Sequence, residues 1–66
     1  MRRIPKVGDR VRMIGVMPDD PAPLDIGEEG TVTGVGEPMG GRRQIFVAWD
    51  SGRGLILLES DPFELL

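Results

Sequence analysis

The sequence predicts an all-β fold: a small five-stranded SH3-like barrel, with a long proline-rich loop after strand 1, in one domain over residues 1–66. Three observations carry this. Ten Gly and six Pro in 66 residues work against helices, because these two residues are the least favourable in a helix interior. No window repeats apolar residues at i, i+3, i+4 and i+7, whereas short period-two runs recur between turn residues. Those runs are ordered with a long loop after the first and a brief turn before the last. An OB-fold also has five strands, but it is usually longer and carries a helix, for which no segment qualifies. No internal repeat or low-complexity tract is legible.

The first strand is expected over Val7–Ile14, with Val7, Val11 and Met13 facing inward and Arg10, Arg12 and Ile14 outward. Residues 15–29 follow as a polar loop holding Pro18, Pro21 and Pro23, with Leu24 and Ile26 as apolar anchors. Proline cannot donate to a ladder, which makes this stretch a loop. A second strand is expected over Gly30–Val35, whose glycines permit tight coiling. A hairpin connection over Gly36–Arg43 leads into strand three, Gln44–Trp49, with Ile45, Val47 and Trp49 inward and Phe46 outward. Asp50-Ser51-Gly52 reads as a tight turn with Gly52 in the left-handed position. Strand four is expected over Gly54–Leu58, with Leu55 and Leu57 inward and Ile56 outward. A turn over Glu59–Pro62 precedes the closing strand Phe63–Leu66, with Phe63 and Leu65 inward. Val32 completes the inward set, Val35 is placed outward, and closure into a barrel removes exposed edges.

Several chemistries are excluded by composition. There is no Cys and no His, so the usual zinc sites, thiol redox chemistry and imidazole catalysis are absent. Ser51 and Ser60 lack a base, and Lys6 lies in the N-terminal arm with no evident desolvating pocket. The acid pairs Asp19-Asp20 and Glu28-Glu29 have no EF-hand spacing and read as solvated loop charge. Gly34-Val35-Gly36 with Gly40-Gly41 is followed by a strand rather than the helix a nucleotide loop needs. No enzyme, cofactor, metal or small-molecule substrate is expected. No stretch approaches the ~18 apolar residues of a membrane span, and the basic N-terminus lacks the apolar core of a signal peptide. A cytoplasmic location is the expectation.

The run Val7-Gly8-Asp9-Arg10-Val11, then Gly27-Glu28-Glu29-Gly30-Thr31-Val32, then Ile45-Phe46-Val47-Ala48-Trp49-Asp50-Ser51-Gly52 resembles a family of short bacterial and phage proteins described only as a domain of unknown function. The resemblance continues through Asp61-Pro62-Phe63-Glu64-Leu65. The order G-x-V then V-x-W-D-x-G is shared more loosely by Mind-bomb-type and KOW-type SH3-like modules and by a small photosystem subunit that helps ferredoxin dock. These resemblances imply an SH3-like barrel. Their functions differ among peptide binding, RNA or ribosome contact and protein docking, so they imply no single function.

Two readings remain, both non-catalytic. One is protein–protein contact, including self-association, through an outer-face patch of Phe46 with Ile14 and Ile56, joined by Val35. The other is nucleic-acid binding by Arg2, Arg3, Lys6, Arg10 and Arg12 with Arg42, Arg43 and Arg53. A net charge of −3 counts against the second, since phosphate binding favours a basic footprint. The lack of Tyr leaves no aromatic groove for proline peptides, and Trp49 is assigned to the core.

Overall fold

The computed structural model describes residues 4–16, 23–36 and 43–66. Five antiparallel strands are present: β1 (Arg10–Met13), β2 (Glu29–Val35), β3 (Gln44–Trp49), β4 (Leu57–Leu58) and β5 (Phe63–Leu65). They form one curled half-barrel in the order β4-β3-β2-β1-β5, and no helix occurs among the described residues. The architecture is all-β and consistent with a small SH3-like barrel. Closure is incomplete: β4 and β5 are the two ends of the sheet and do not pair with each other.

Period two in the sequence becomes the core directly. Val11 and Met13 of β1, Val32 of β2, Ile45, Val47 and Trp49 of β3, Leu57 of β4 and Phe63 of β5 are buried. Leu24 joins them from the loop side and is buried as deeply. The Trp49 indole is buried and donates from Nε1 to the Leu55 carbonyl at 2.8 Å, which satisfies its one polar atom. Leu55 and Leu65 are only partly buried and pack against this cluster. Ile26, expected as an anchor, is exposed.

Val7 is also exposed, contrary to its parity, because it stands in a turn and not in a strand. Gly8 has a φ of 95°, a conformation that glycine adopts without strain. The Asp9 N–H donates to the Lys6 carbonyl at 3.0 Å, and the Lys6 N–H donates to Asp9 Oδ2 at 3.0 Å. Gly8 and Asp9 together oppose Val32: the Gly8 N–H donates to the Val32 carbonyl and the Val32 N–H to the Asp9 carbonyl. This is a glycine bulge that ends the ladder of β1.

The same arrangement recurs nineteen residues later. Gly27 has a φ of 93°, the Glu28 N–H donates to the Asp25 carbonyl, and the Asp25 N–H donates to Glu28 Oε2. Gly27 and Glu28 oppose Met13 as Gly8 and Asp9 oppose Val32. Segments 6–13 and 25–32 are thus two copies of one turn-and-strand unit, related by a local two-fold axis through the paired residues Val11 and Gly30. The sequence shows this repeat only as Val-Gly-Asp and Ile-Gly-Glu, which is why it is not legible there. The copies differ on the axis for a steric reason: a Cβ at Gly30 would lie 2.6 Å from Val47 Cγ1 and 2.9 Å from the Ala48 carbonyl oxygen.

A second bulge corrects Val35. Val32 pairs with Val47 but Gly34 pairs with Phe46, so Thr33 is an extra residue in β2. The shift turns Val35 toward Ile45, and Val35 packs on the core instead of facing outward. Strand four is shorter than expected, since only Leu57 and Leu58 join the ladder.

Candidate interaction surface

The outer face of the sheet divides into two halves of different chemistry. One half belongs to β1, β5 and the start of β2, and it is built from charges. Alternation on β1 places Arg10 and Arg12 outward, and the register sets Arg10 across from Thr31 and Arg12 between Glu29 and Glu64. The Arg10 guanidinium donates in a fork to Asp50, from Nη1 to Oδ1 at 2.9 Å and from Nη2 to Oδ2 at 2.7 Å. It also reaches Thr31 Oγ1 at 3.0 Å and Glu29 Oε1 at 3.3 Å. Arg12 donates to Glu64 Oε1 from Nε at 2.8 Å and again from Nη2. The result is an alternating chain of charges, Glu64, Arg12, Glu29, Arg10, Asp50, of which only the link from Arg12 to Glu29 is one of register alone. The fork to Arg10 holds the Asp50 carboxyl below the usual aspartate range, against a smaller opposing effect of desolvation.

Of the two acid pairs, Asp19-Asp20 lies outside the described residues, while Glu28 and Glu29 are not idle loop charge. Glu29 is in the ion-pair chain, and Glu28 both closes its turn through the Asp25 N–H and accepts from the Ser51 hydroxyl. Asp61 is buried and closes a third turn in the same reciprocal way. Its carboxylate accepts from the Leu58 N–H at 2.8 Å, and its own N–H donates to the Leu58 carbonyl at 2.9 Å.

The other half of the outer face belongs to β3, β4 and the end of β2. Its side chains are Gln44, Phe46 and Ala48 on β3, Leu58 on β4 and Thr33 on β2, with no charged residue among them. Extending the β3–β4 register by one step sets Ile56 across from Phe46. Phe46 is 37% and Ile56 44% exposed. The Phe46 ring also lies over glycine backbone: a Cβ at Gly34 would be 3.4 Å from Phe46 Cδ2, and one at Gly36 would be 3.6 Å from Phe46 Cε2.

The expected site residues are thus sorted by the fold. Phe46 and Ile56 are both exposed and fall on the same side by the extended register, and Ala48 and Leu58 lie on that face too; neither of these two was singled out from the sequence. Ile14 is exposed but lies elsewhere. Its N–H donates to the Pro62 carbonyl and it follows Met13, whose carbonyl accepts from Gly27, while Phe46 pairs with Gly34. At about 3.3 Å per residue, the stretch from Gly27 along β2 to Gly34 separates them by roughly 20 Å. Of the basic set, Arg10 and Arg12 are engaged by carboxylates. Arg43 is partly buried, with Nη1 3.5 Å from the Gly36 carbonyl and Nε 4.0 Å from Glu59 Oε2. Arg53 donates to the Pro23 carbonyl at 3.1 Å, and Lys6 is exposed. Arg2, Arg3 and Arg42 lie outside the described residues. No group of three or more acidic, His or Cys side chains that could hold a metal occurs among the described residues. Nor does a helix long and apolar enough to cross a membrane.

The family model described as Domain of unknown function (DUF4314) covers residues 1–64, and the chain belongs to that family. No curated protein and no solved structure matches the chain.

Proposed function

We propose that this member of the DUF4314 family is a non-catalytic interaction module that contacts a protein through the uncharged half of its outer face, centred on Phe46 and Ile56. The observation that carries this reading is the partition of the face. The outward arginines are spent on Glu29, Asp50 and Glu64, so that half has little unmet charge to offer a phosphate backbone. The neighbouring half joins an exposed aromatic and a branched aliphatic side chain with no charge between them, the composition of an interface centre. Catalysis finds little support: the chain has no His or Cys, and the Ser51 hydroxyl faces a carboxylate with no imidazole to activate it.

The test is capture of partners on the immobilised protein from lysate, with and without nuclease. Phe46→Ser is compared with the double change Arg10→Gln and Arg12→Gln. Protein docking predicts nuclease-resistant capture that Phe46→Ser abolishes and the arginine changes spare. Capture lost to nuclease, or lost with the arginines and not with Phe46, would sink the reading in favour of nucleic acid.

A further inference from the structure

We infer that residues 53–56 are a strap with two positions: bound to the Trp49 indole, as in the structure, and closed on β3 as an extension of β4. The conformational device stands on the fold alone; as control of the docking face it rests on the reading above. The turn before the strap already has hairpin form. Gly52 has a φ of 88° and its N–H donates to the Trp49 carbonyl at 2.9 Å, as in a three-residue hairpin loop that sets Arg53 across from Trp49. The register agrees: Ile45 pairs with Leu57, and continuing it sets Val47 across from Leu55. The ladder nevertheless stops at Leu57.

Which groups face the strap is fixed by β3 itself. The Gly36 N–H donates to the Gln44 carbonyl and the Asp50 N–H to the Glu29 carbonyl, so even residues from Gln44 to Asp50 turn their main-chain groups toward β2. Ile45 and Val47 turn theirs to the other side, as Arg43 does in accepting from the Glu59 N–H. Val47 is buried, yet its N–H and carbonyl have no hydrogen bond among the described residues. Buried main-chain groups are ordinarily paired. The register assigns them Leu55, whose carbonyl instead accepts from Trp49 Nε1 at 2.8 Å. That indole is a donor only and lies on the core side of the sheet, out of the plane of the ladder. It competes with the Val47 N–H for one carbonyl.

A second tie holds the other end of the strap. Arg53 Nη1 donates to the Pro23 carbonyl at 3.1 Å, which joins the strap to the chain before β2. Closing would exchange the indole bond for ladder bonds to Val47. It would also make Phe46 and Ile56 a non-hydrogen-bonded pair, the kind in which side chains approach more closely. A partner that binds the face with Ile56 against Phe46 therefore shifts the population toward the closed strap.

Amide exchange and cross-strand proton contacts in the intact chain test this. In the wild type the Val47 amide should exchange at least about tenfold faster than that of Ile45. Trp49→Phe removes the competing donor while keeping an aromatic in the core, and Arg53→Met removes the tie to Pro23. Each should slow Val47 exchange by at least about tenfold and bring the α-protons of Phe46 and Ile56 into contact. A wild-type Val47 amide as protected as that of Ile45 overturns the inference. So do exchange and contacts that stay unchanged in every variant that folds. If the strap responds as expected but Phe46→Ser leaves protein capture intact, the docking reading fails and the strap stands.

Discussion

Gly8 and Gly27 have the same backbone conformation, the same hydrogen bonds and open space where a Cβ would go. Replacing either by Ala should therefore cost conformational strain alone, about 1 kcal/mol each, and the two costs should match. Gly30 is a different case. Its φ is ordinary, but a Cβ meets Val47 and the backbone of Ala48. Gly30→Ala should cost more, on the order of 1–3 kcal/mol, through overpacking. Urea midpoints of the three variants check the ranking, and unequal shifts at Gly8 and Gly27 would contradict the equivalence of the two units. Trp49 lies at the other extreme: Trp49→Ala removes a buried aromatic worth ~3–5 kcal/mol and leaves the Leu55 carbonyl without its donor. In a chain this small that should abolish the cooperative thermal transition, and a folded variant would put Trp49 outside the core.

At the scale of elements, the β3–β4 turn is tied to its neighbours through charge. Arg10 grips Asp50, and the Asp50 N–H donates to the Glu29 carbonyl. Because Asp50 has a lowered pKa in the folded chain, its stabilising effect is full above the unfolded aspartate value and is lost as pH falls through the folded one. The thermal midpoint should therefore drop on acidification below about pH 4, and Asp50→Asn should remove part of that slope. Both ends of the pair are exposed, so added salt should shrink the difference. Elements were legible to unequal degrees. β3 matches its expected bounds because six residues alternate without interruption and all of them pair. The expected strand over Val7–Ile14 begins late because Gly8 bends the chain into a turn that Val7 conceals by its side chain. Val35 was misplaced because one bulge residue inverts parity and leaves no mark in composition. Residues 54–56 have the composition of a strand but not the partner. The exposure of Phe46 and Ile56 could be foreseen from parity, which misplaced Val35 and could not separate Ile14 from them, whereas the neutralisation of Arg10 and Arg12 depends on Asp50 and Glu64, 40 and 52 residues away.

For the whole molecule, the two halves of the outer face should respond differently to ionic strength. Raising salt should speed amide exchange in β1 and β5, where ion pairs cross between strands, more than in the interior of β3. Uniform acceleration, measured by hydrogen exchange, would show that the ion-pair chain does not hold that side together. The position of β1 between two partners has a further consequence, for the order in which the molecule assembles. Arg10 meets Glu29 across 19 residues of chain, while Arg12 meets Glu64 across 52. Closing the longer loop costs roughly 0.9 kcal/mol more in chain entropy. The paired units 6–13 and 25–32 can thus form first, with the C-terminal strand arriving last. Changes at Gly27 should then slow folding, and changes at Glu64 should chiefly hasten unfolding.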